Sequence, residues 1–171
     1  MISIVNTRAA YLMALESRDV MQAEIVRVLE DENSVQKTRS LDATFNECFL
    51  NSSASSKCPG QTVLGISLYN SAGTRIAGPP NSPAYFNLSG SPCKQTQTIR
   101  CGIAVTSTVR AQSTPQWYNN QLVEYNGRPH ELVEVRYVVQ IMDTGVLPAK
   151  QRALTGSYVF DTQDLMTKMM E

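Results

Sequence analysis

The chain has no glycine or proline before Pro59, and this absence constrains its N-terminal part more than any other feature. From residue 1 to about residue 39, apolar residues recur at the spacing of one helical face. The residues on this face are Ile4, Tyr11, Ala14, Leu15, Met21, Ile25, Val28 and Leu29. The opposite face carries Glu16, Asp19, Glu24, Arg27 and Asp31. The pattern predicts one long amphipathic helix over residues 1–39. It would measure roughly 45 to 55 Å, longer than a usual domain helix, so we expect part of it to extend beyond its domain.

Three residues interrupt the two-faced pattern of this helix. Arg18 and Gln22 lie near the middle of the apolar face, and Val20 lies on the polar side. Either the helix covers a core and extends the charged end of Arg18 to the rim, or it also packs against other subunits. The sequence leaves both interpretations open.

Length and charge limit the classes of protein to which the chain can belong. Its 171 residues favour one domain with a core of its own. Lys plus Arg and Asp plus Glu both number 15, so the formal net charge is zero. A neutral chain lacks the general attraction to nucleic acid or to an anionic membrane surface, and we expect neither partner. No run approaches the roughly eighteen apolar residues that a membrane span requires, so we expect the chain as given to be soluble.

The four cysteines are Cys48, Cys58, Cys93 and Cys101, which allow three pairings. Proximity in sequence favours Cys48 with Cys58 and Cys93 with Cys101, each closing a loop worth about 2 to 3 kcal/mol. Neither pair has C-x-x-C spacing and the chain has a single histidine, so we expect disulfides, no metal and no cofactor. Disulfides indicate an oxidising compartment. No signal peptide opens the sequence, so we expect an export segment upstream of it.

Residues 40–61 are a predicted loop region, in which residues 41–50 form either another helical turn or a descending loop. After it the apolar period changes to two. The predicted strands are a hairpin within 62–77, a short strand at 85–88, and strands at 98–110, 133–141 and 157–160. Ile99, Cys101, Ile103, Val105 and Val109 share the inner face of one of them. The strand at 133–141 should be central and antiparallel to a neighbour. Residues 161–171 resemble a short C-terminal helix. One helix followed by strands predicts an α+β fold, with the helix packed on an antiparallel sheet spanning 62–160.

The chain offers little for catalysis. His130 is the only histidine and lies in a predicted turn. No nucleophile elbow, phosphate loop, dinucleotide fingerprint or zinc-protease helix is present. Glu124, Glu131 and Glu134 could supply paired carboxylates, but a surface strand carries such residues anyway. We expect no enzyme.

A predicted loop carries the only tryptophan, Trp117, beside Tyr118 and Asn119. The loop could bind a ligand such as a carbohydrate. The favoured interpretation is that Trp117 folds down onto the edge of the core, because a large aromatic side chain contributes most when it is partly buried.

A long amphipathic N-terminal helix, a variable loop, an antiparallel sheet of hairpins and disulfide-linked loops together resemble the soluble part of a type IV pilin or pseudopilin. The likeness covers almost the whole chain as an architecture. The motif of the family, a glycine cleavage site followed by Phe and an apolar segment with Glu at its fifth position, is absent here. The resemblance implies that this segment lies upstream of Met1 and that residues 6–37 form the second half of the family's helix. The chain departs from the family in placing Cys48 and Cys58 directly after the helix.

The resemblance implies a non-enzymatic subunit, most simply a minor and surface-exposed one, which acts in filament assembly and in adhesion or motility. Its partners would be other pilin subunits and, through exposed loops, a host or surface ligand. It would be anchored in the inner membrane by the upstream segment before assembly at the cell surface. The helix residues expected to pack the filament are Tyr11, Leu15, Val20, Met21, Ala23 and Ile25. The alternative is a secreted or periplasmic α+β module that binds a ligand or carbohydrate through the loop at Trp117.

Overall fold

The computed structural model describes residues 2–51, 58, 62–112, 117–118, 121–122, 124–125, 128–129, 132–142, 145 and 147–161. The helices are α1 (Ile2–Glu30), α2 (Glu32–Leu41), α3 (Ala43–Asn51) and the single turn α4 (Ala149–Arg152). The first strands are β1 (Leu64–Gly65), β2 (Leu68–Tyr69), β3 (Arg75–Ala77), β4 (Ala84–Phe86) and β5 (Ile103–Gln112). They are followed by β6 (Trp117–Tyr118), β7 (Gln121–Leu122), β8 (Glu124–Tyr125), β9 (Arg128–Pro129), β10 (Leu132–Ile141) and β11 (Ala153–Asp161). The chain is therefore α+β, with an N-terminal helix and an antiparallel sheet, as the sequence predicts.

The N-terminal region forms three helices, so the prediction of one unbroken helix over residues 1–39 is wrong at Asp31, although residues 32–39 are helical in α2. Asp31 takes an extended backbone conformation, and its carboxylate accepts a hydrogen bond from the Ser34 N–H at 3.1 Å, which caps α2. Asp42 is also extended, and its Oδ1 accepts from the Phe45 N–H at 2.8 Å. Residues 43–51 of the predicted loop region form helix α3, so of the two interpretations of residues 41–50 the helical one agrees with the structure.

The main sheet has the strand order β1-β5-β10-β11, and β4 pairs with β5 on the same side as β1. All of these pairings are antiparallel. Strand β10 lies between β5 and β11, which confirms the prediction that it is central. The registers place Tyr137 of β10 opposite Ser107 of β5 and opposite Gly156 of β11. The predicted hairpin is present as β2 and β3, with Gly73 of its turn at φ +81°.

The core lies between one face of this sheet and the helices. Odd-numbered residues of β5 and β10 are buried on that face, because successive residues of a strand alternate between its two sides. The largest of them are Ile103, Val105, Val109, Val133, Val135, Tyr137, Val139 and Ile141. Helix α1 packs against β10 and β11, and α3 packs against β5. The rings of Phe45 and Phe49 in α3 lie 6.1 Å and 5.8 Å from the ring of Phe160 in β11, which ties the third helix to the last strand.

The side chain of Thr38 ties helix α2 to the hairpin of β2 and β3. The buried Thr38 hydroxyl donates to the Tyr69 carbonyl oxygen at 3.1 Å and accepts from the Tyr69 N–H at 2.9 Å. Asp42 makes a second connection, because its Oδ2 accepts from the Ser67 N–H at 2.7 Å. The polar side chains of α2 and of the turn after it therefore position the strands that follow.

Both disulfides pair as proximity in sequence favoured, Cys48 with Cys58 and Cys93 with Cys101. Cys48 and Cys58 are completely buried in the core cluster. Cys101 is buried as predicted, and Cys93 is half-buried, so this bridge ties an exposed loop to the start of β5.

Two predictions about strand ends differ from the structure. Ile99 was placed on the inner face of a strand, but the strand begins at Ile103 and Ile99 is 53% exposed. The Ile99 N–H donates to the Thr96 hydroxyl at 2.9 Å, and the Cys101 N–H donates to the Gln95 side-chain oxygen at 2.8 Å. These hydrogen bonds hold residues 95–101 in a loop before β5. The last strand was predicted at residues 157–160, but β11 runs from Ala153 to Asp161, and the rest of the predicted C-terminal helix lies outside the described residues.

Candidate functional site

Helix α1 buries one side against its own sheet. Its described buried side chains run from Ala14 to Leu29, namely Ala14, Met21, Ile25, Val28 and Leu29. Tyr11 and Leu15 are half-buried against the same core. All seven were on the apolar face that the sequence predicts, and the side chain of Ile4 lies outside the described residues. This side of α1 therefore belongs to the domain.

The two polar residues of the apolar face have partners within the chain. An Arg18 guanidinium N–H donates to the Gln151 carbonyl oxygen at 2.7 Å, and the group also binds Asp19 at 2.7 Å. The Arg18 side chain is only 15% exposed. The Gln22 amide lies 3.5 Å from the Tyr137 hydroxyl, to which it donates. Both residues thus stabilise the packing of α1 on the C-terminal half of the sheet.

Tyr11 reinforces this contact. Its hydroxyl donates to the side-chain oxygen of Gln151 at 2.7 Å, so Gln151 binds both Tyr11 and Arg18. Gln151 belongs to α4, the single turn before β11. The entry to the last strand is therefore tied to the N-terminal half of α1.

The opposite side of α1 carries apolar side chains that the domain leaves uncovered. Leu12, Met13 and Val20 are 63%, 58% and 61% exposed, and Ala23 is also exposed. Large apolar side chains scattered singly over a surface are ordinary, but these lie within three turns of one helix. The six residues predicted to pack a filament accordingly divide. Met21, Ile25, Tyr11 and Leu15 face the domain, whereas Val20 and Ala23 are available to a partner.

Met13 and Val20 line a groove of about 240 Å³, which we call the α1 groove. Its lining is Met13, Glu16, Ser17, Val20, Met21, Leu88, Ser89 and Gly90. The second wall is the turn at residues 88–90, held in place because the Ser17 hydroxyl donates to the Leu88 carbonyl oxygen at 2.6 Å. The sequence did not identify Met13 and Leu88 as residues of this groove, because only the fold brings the turn at residues 88–90 to the helix. Leu12 was missed as well, although its place opposite the buried stripe was a usable signal.

Charged residues share the exposed side of α1 with these apolar side chains. Glu24 and Arg27 form an exposed i,i+3 ion pair at 2.7 Å. The hydrogen bond from Arg27 to Glu24, and then the charge of Glu24, raise the pKa of Arg27. Glu16 lies at the rim of the α1 groove without such a partner among the described contacts. Charged and apolar side chains are therefore interspersed on the exposed side of α1.

A second polar cluster lies on the outer face of the sheet. Glu134 of β10 is buried, and its carboxylate accepts from Arg110 at 2.6 Å and from Arg136 at 2.8 Å. Burial raises the pKa of Glu134, but the hydrogen bonds and charges of Arg136 and Arg110 outweigh it, and the net pKa lies below the ordinary value. A carboxylate held ionised by two guanidinium groups is a poor general acid, so the cluster stabilises the sheet.

The residues of the predicted ligand loop are described only in part. Trp117 and Tyr118 form β6, which pairs with β7 in a short antiparallel hairpin, so this part of the segment is not an irregular loop. Asn119 lies outside the described residues, as do His130 and Glu131. Glu124 is in β8, in a hairpin with β9.

Sequence reasoning also missed a pocket of about 660 Å³ beside the second disulfide. Its lining residues are Asn87, Leu88, Gln95, Arg100, Cys101, Gly102 and Met142. The pocket is formed by turns and strand ends from three parts of the chain, and no local sequence motif indicates that they come together.

The described residues contain no group of three or more His, Cys, Asp or Glu side chains that could hold a metal ion. Among the helices described, none is long and apolar enough to cross a membrane. No protein-family model, curated protein or solved structure matches the chain.

Proposed function

We propose that this chain is a non-enzymatic subunit of a filament of the type IV pilin class, and that the outer side of α1 contacts neighbouring subunits. One observation carries the proposal. Helix α1 buries one side against its own sheet, yet it leaves Leu12, Met13 and Val20 uncovered on the other side. A helix that only completed a domain would gain nothing from these side chains, whereas a helix shared between domain and filament needs both sides apolar.

The energetics of such a contact are modest for each subunit. Burying a large apolar side chain contributes about 1.5 to 3 kcal/mol, and these three are already partly covered. A single contact between two copies would therefore be weak. In a filament each copy meets several others, so weak contacts add up, and a segment upstream of residue 1 would add its own apolar area.

The remaining surface fits a subunit exposed on the outside of a filament. The Cys93–Cys101 disulfide closes a loop of exposed residues before β5. Covalent closure stabilises short exposed loops, and loops positioned by a rigid scaffold are where proteins commonly bind partners. We infer from this a minor subunit acting in assembly and in adhesion or motility at the cell surface, with an inner-membrane anchor before assembly.

A pair of matched variants tests the α1 surface. Val20 and Val63 are both valines, 61% and 57% exposed, but only Val20 is on α1. In source cells that produce the full-length protein, we expect Val20→Glu to reduce the amount of this subunit in sheared surface filaments at least tenfold. Val63→Glu should leave incorporation unchanged, and both purified domains should unfold at the wild-type temperature. Equal incorporation of the two variants would contradict the proposal.

The codons upstream of Met1 give an independent test. The proposal requires a Gly-Phe cleavage site and about twenty apolar residues before residue 1. An ordinary cleavable signal peptide at that place would instead favour a secreted module.

A further inference from the structure

Among the described residues, strand β11 is the outermost strand of the main sheet, and no other strand pairs with its second edge. It pairs with β10 over nine consecutive positions without a shift in register. Within the part of the chain that the structure describes, no hydrogen bond of residues 153–160 leads outside that ladder. The backbone N–H and C=O groups of a free edge form a row that can bind another strand.

Residues 153–160 of β11 lack the features that usually protect such an edge, and the one charged residue of the strand is Asp161 at its C-terminal end. Residues 153–160 contain no charged residue and no proline, and the continuous register excludes a bulge. Natural edge strands are commonly very short, charged, interrupted by proline or bulged. At the other side of the sheet, β1 and β4 are two and three residues long. The long unprotected edge is therefore a particular feature of β11.

The two faces of β11 define the strand that would fit beside it. On the helix side, Leu154 and Tyr158 are only half-buried, and Tyr158 packs against the core. On the outer side the residues are small or exposed, namely Ala153, Thr155, Ser157 and Val159. A matching strand is uncharged, apolar at alternate positions and small or polar at the others. Strand β11 itself has this composition.

We propose that β11 pairs with β11 of a second copy of this chain, antiparallel, about a two-fold axis normal to the sheet at Gly156, so that Leu154 lies opposite Tyr158 and Thr155 opposite Ser157. Residues directly opposite each other in an antiparallel pair share a face of the sheet. Leu154 and Tyr158 would therefore meet the apolar residues of the partner, and Thr155 and Ser157 would meet its small polar ones. No like charges would oppose each other between residues 153 and 160. The result is one continuous sheet through both copies.

This pairing uses a different surface from the α1 groove and does not rest on the proposed filament. Helix α1 lies on one face of the sheet, whereas the pairing occurs at its edge in the plane of the sheet. An isologous contact of this kind closes on itself as a dimer. The two proposals can therefore fail separately.

The test measures the mass of the whole chain by sedimentation equilibrium over a wide concentration range, with two matched variants. Ser157 lies opposite Arg136 within the chain, so the monomer should tolerate the carboxylate of Ser157→Glu. In the dimer, two such carboxylates would lie close together near the two-fold axis. Gln140→Glu makes a carboxylate on the same face in the interior strand β10. We expect the wild-type chain to show a monomer–dimer equilibrium. The dimerisation affinity should be at least tenfold lower for Ser157→Glu and unchanged for Gln140→Glu and Val20→Glu. A wild-type chain that stays monomeric, or equal effects of the variants at 157 and 140, would overturn the proposal.

Hydrogen exchange locates the contact. Amide protons of residues 153–160 that point to the free edge should exchange at least tenfold more slowly at concentrations where the dimer is populated. A dimer that forms without any change in the exchange of these amides would use another surface, and the pairing would be wrong.

Discussion

Tyr137 lies across Gly156 of the neighbouring strand, and the ring occupies the space that a side chain at position 156 would need. A Cβ atom on Gly156 would lie 2.2 Å from the Tyr137 hydroxyl oxygen and 2.3 Å from the ring. Tyr137 is buried, and its hydroxyl accepts from Gln22 of α1. The glycine of the edge strand therefore permits the aromatic contact that joins the sheet to the helix.

Replacing Gly156 should destabilise the fold through this contact. In Gly156→Ala the tyrosine must leave its position, and we expect the free energy of unfolding to fall by about 1 to 3 kcal/mol. Urea unfolding monitored by circular dichroism measures the change. Ser157→Ala, at the next residue but on the opposite face, is the control and should remain within about 0.5 kcal/mol of wild type. A Gly156→Ala protein as stable as this control would show that the ring moves at no cost.

The Arg110–Glu134–Arg136 cluster should make stability depend on pH. Because the pKa of folded Glu134 lies below its ordinary value of 4.5, its contribution is fully present above about that pH. It is lost as the pH falls through the lowered folded value. We expect Glu134→Gln to lose about 1 to 3 kcal/mol at pH 7.

Urea unfolding at pH 7 and at pH 3 tests this sign. The difference between wild type and Glu134→Gln should shrink at the lower pH, while Glu16→Gln, exposed on α1, should differ little at either pH. A difference that grows on acidification would mean that the pKa of Glu134 is raised in the folded state.

The two disulfides should contribute unequally. They close loops of similar size, with sequence separations of 10 and 8, so the chain-entropy contribution is about 2.5 kcal/mol for each. Cys48 and Cys58 are both completely buried, whereas Cys93 is half-buried. Removing the first pair therefore also leaves a cavity in the core.

The double alanine variants of the two pairs measure this difference. We expect the loss at positions 48 and 58 to exceed the loss at positions 93 and 101 by about 1 kcal/mol, in urea unfolding under identical conditions. The opposite order would show that the loop before β5 depends on its bridge more than the core does.

Asp42 should matter more than Asp31, although both cap a helix. Asp42 accepts from the Phe45 N–H and from the Ser67 N–H, which joins α3 to the strands that follow, whereas the hydrogen bonds of Asp31 come from residues 33 and 34 at the start of α2. We expect Asp42→Ala to cost about 2 to 3 kcal/mol and Asp31→Ala about 1 kcal/mol. Thermal unfolding of the two variants side by side measures both. Equal losses would mean that the bond to Ser67 adds nothing.

The sequence predicted those parts of the fold that depend on regular alternation. Val133, Val135 and Val139 alternate with polar residues, and this pattern alone identified β10 as a central strand. The break in the N-terminal helix was not predictable in the same way. Asp31 and Asp42 lie where a long helix would also carry charges, and only the hydrogen bonds to Ser34 and Phe45 distinguish a cap from a surface residue.

Only part of the candidate site was predictable from the sequence. The burial of Met21 and Ile25 and the exposure of Val20 follow from helical periodicity. The groove does not, because its second wall at Leu88 is 71 residues from Ser17, the residue that binds it. Contacts between residues so far apart in sequence leave no local pattern.

The composition of surface filaments tests the central proposal most directly. Filaments sheared from cells of the source organism can be purified, digested and analysed by mass spectrometry for peptides of this chain. We expect its peptides in the filament fraction, below the amount of the main subunit, with Cys48–Cys58 and Cys93–Cys101 linked. Recovery of the chain only as a free protein, in cells whose filaments lack it, would contradict its role as a filament subunit.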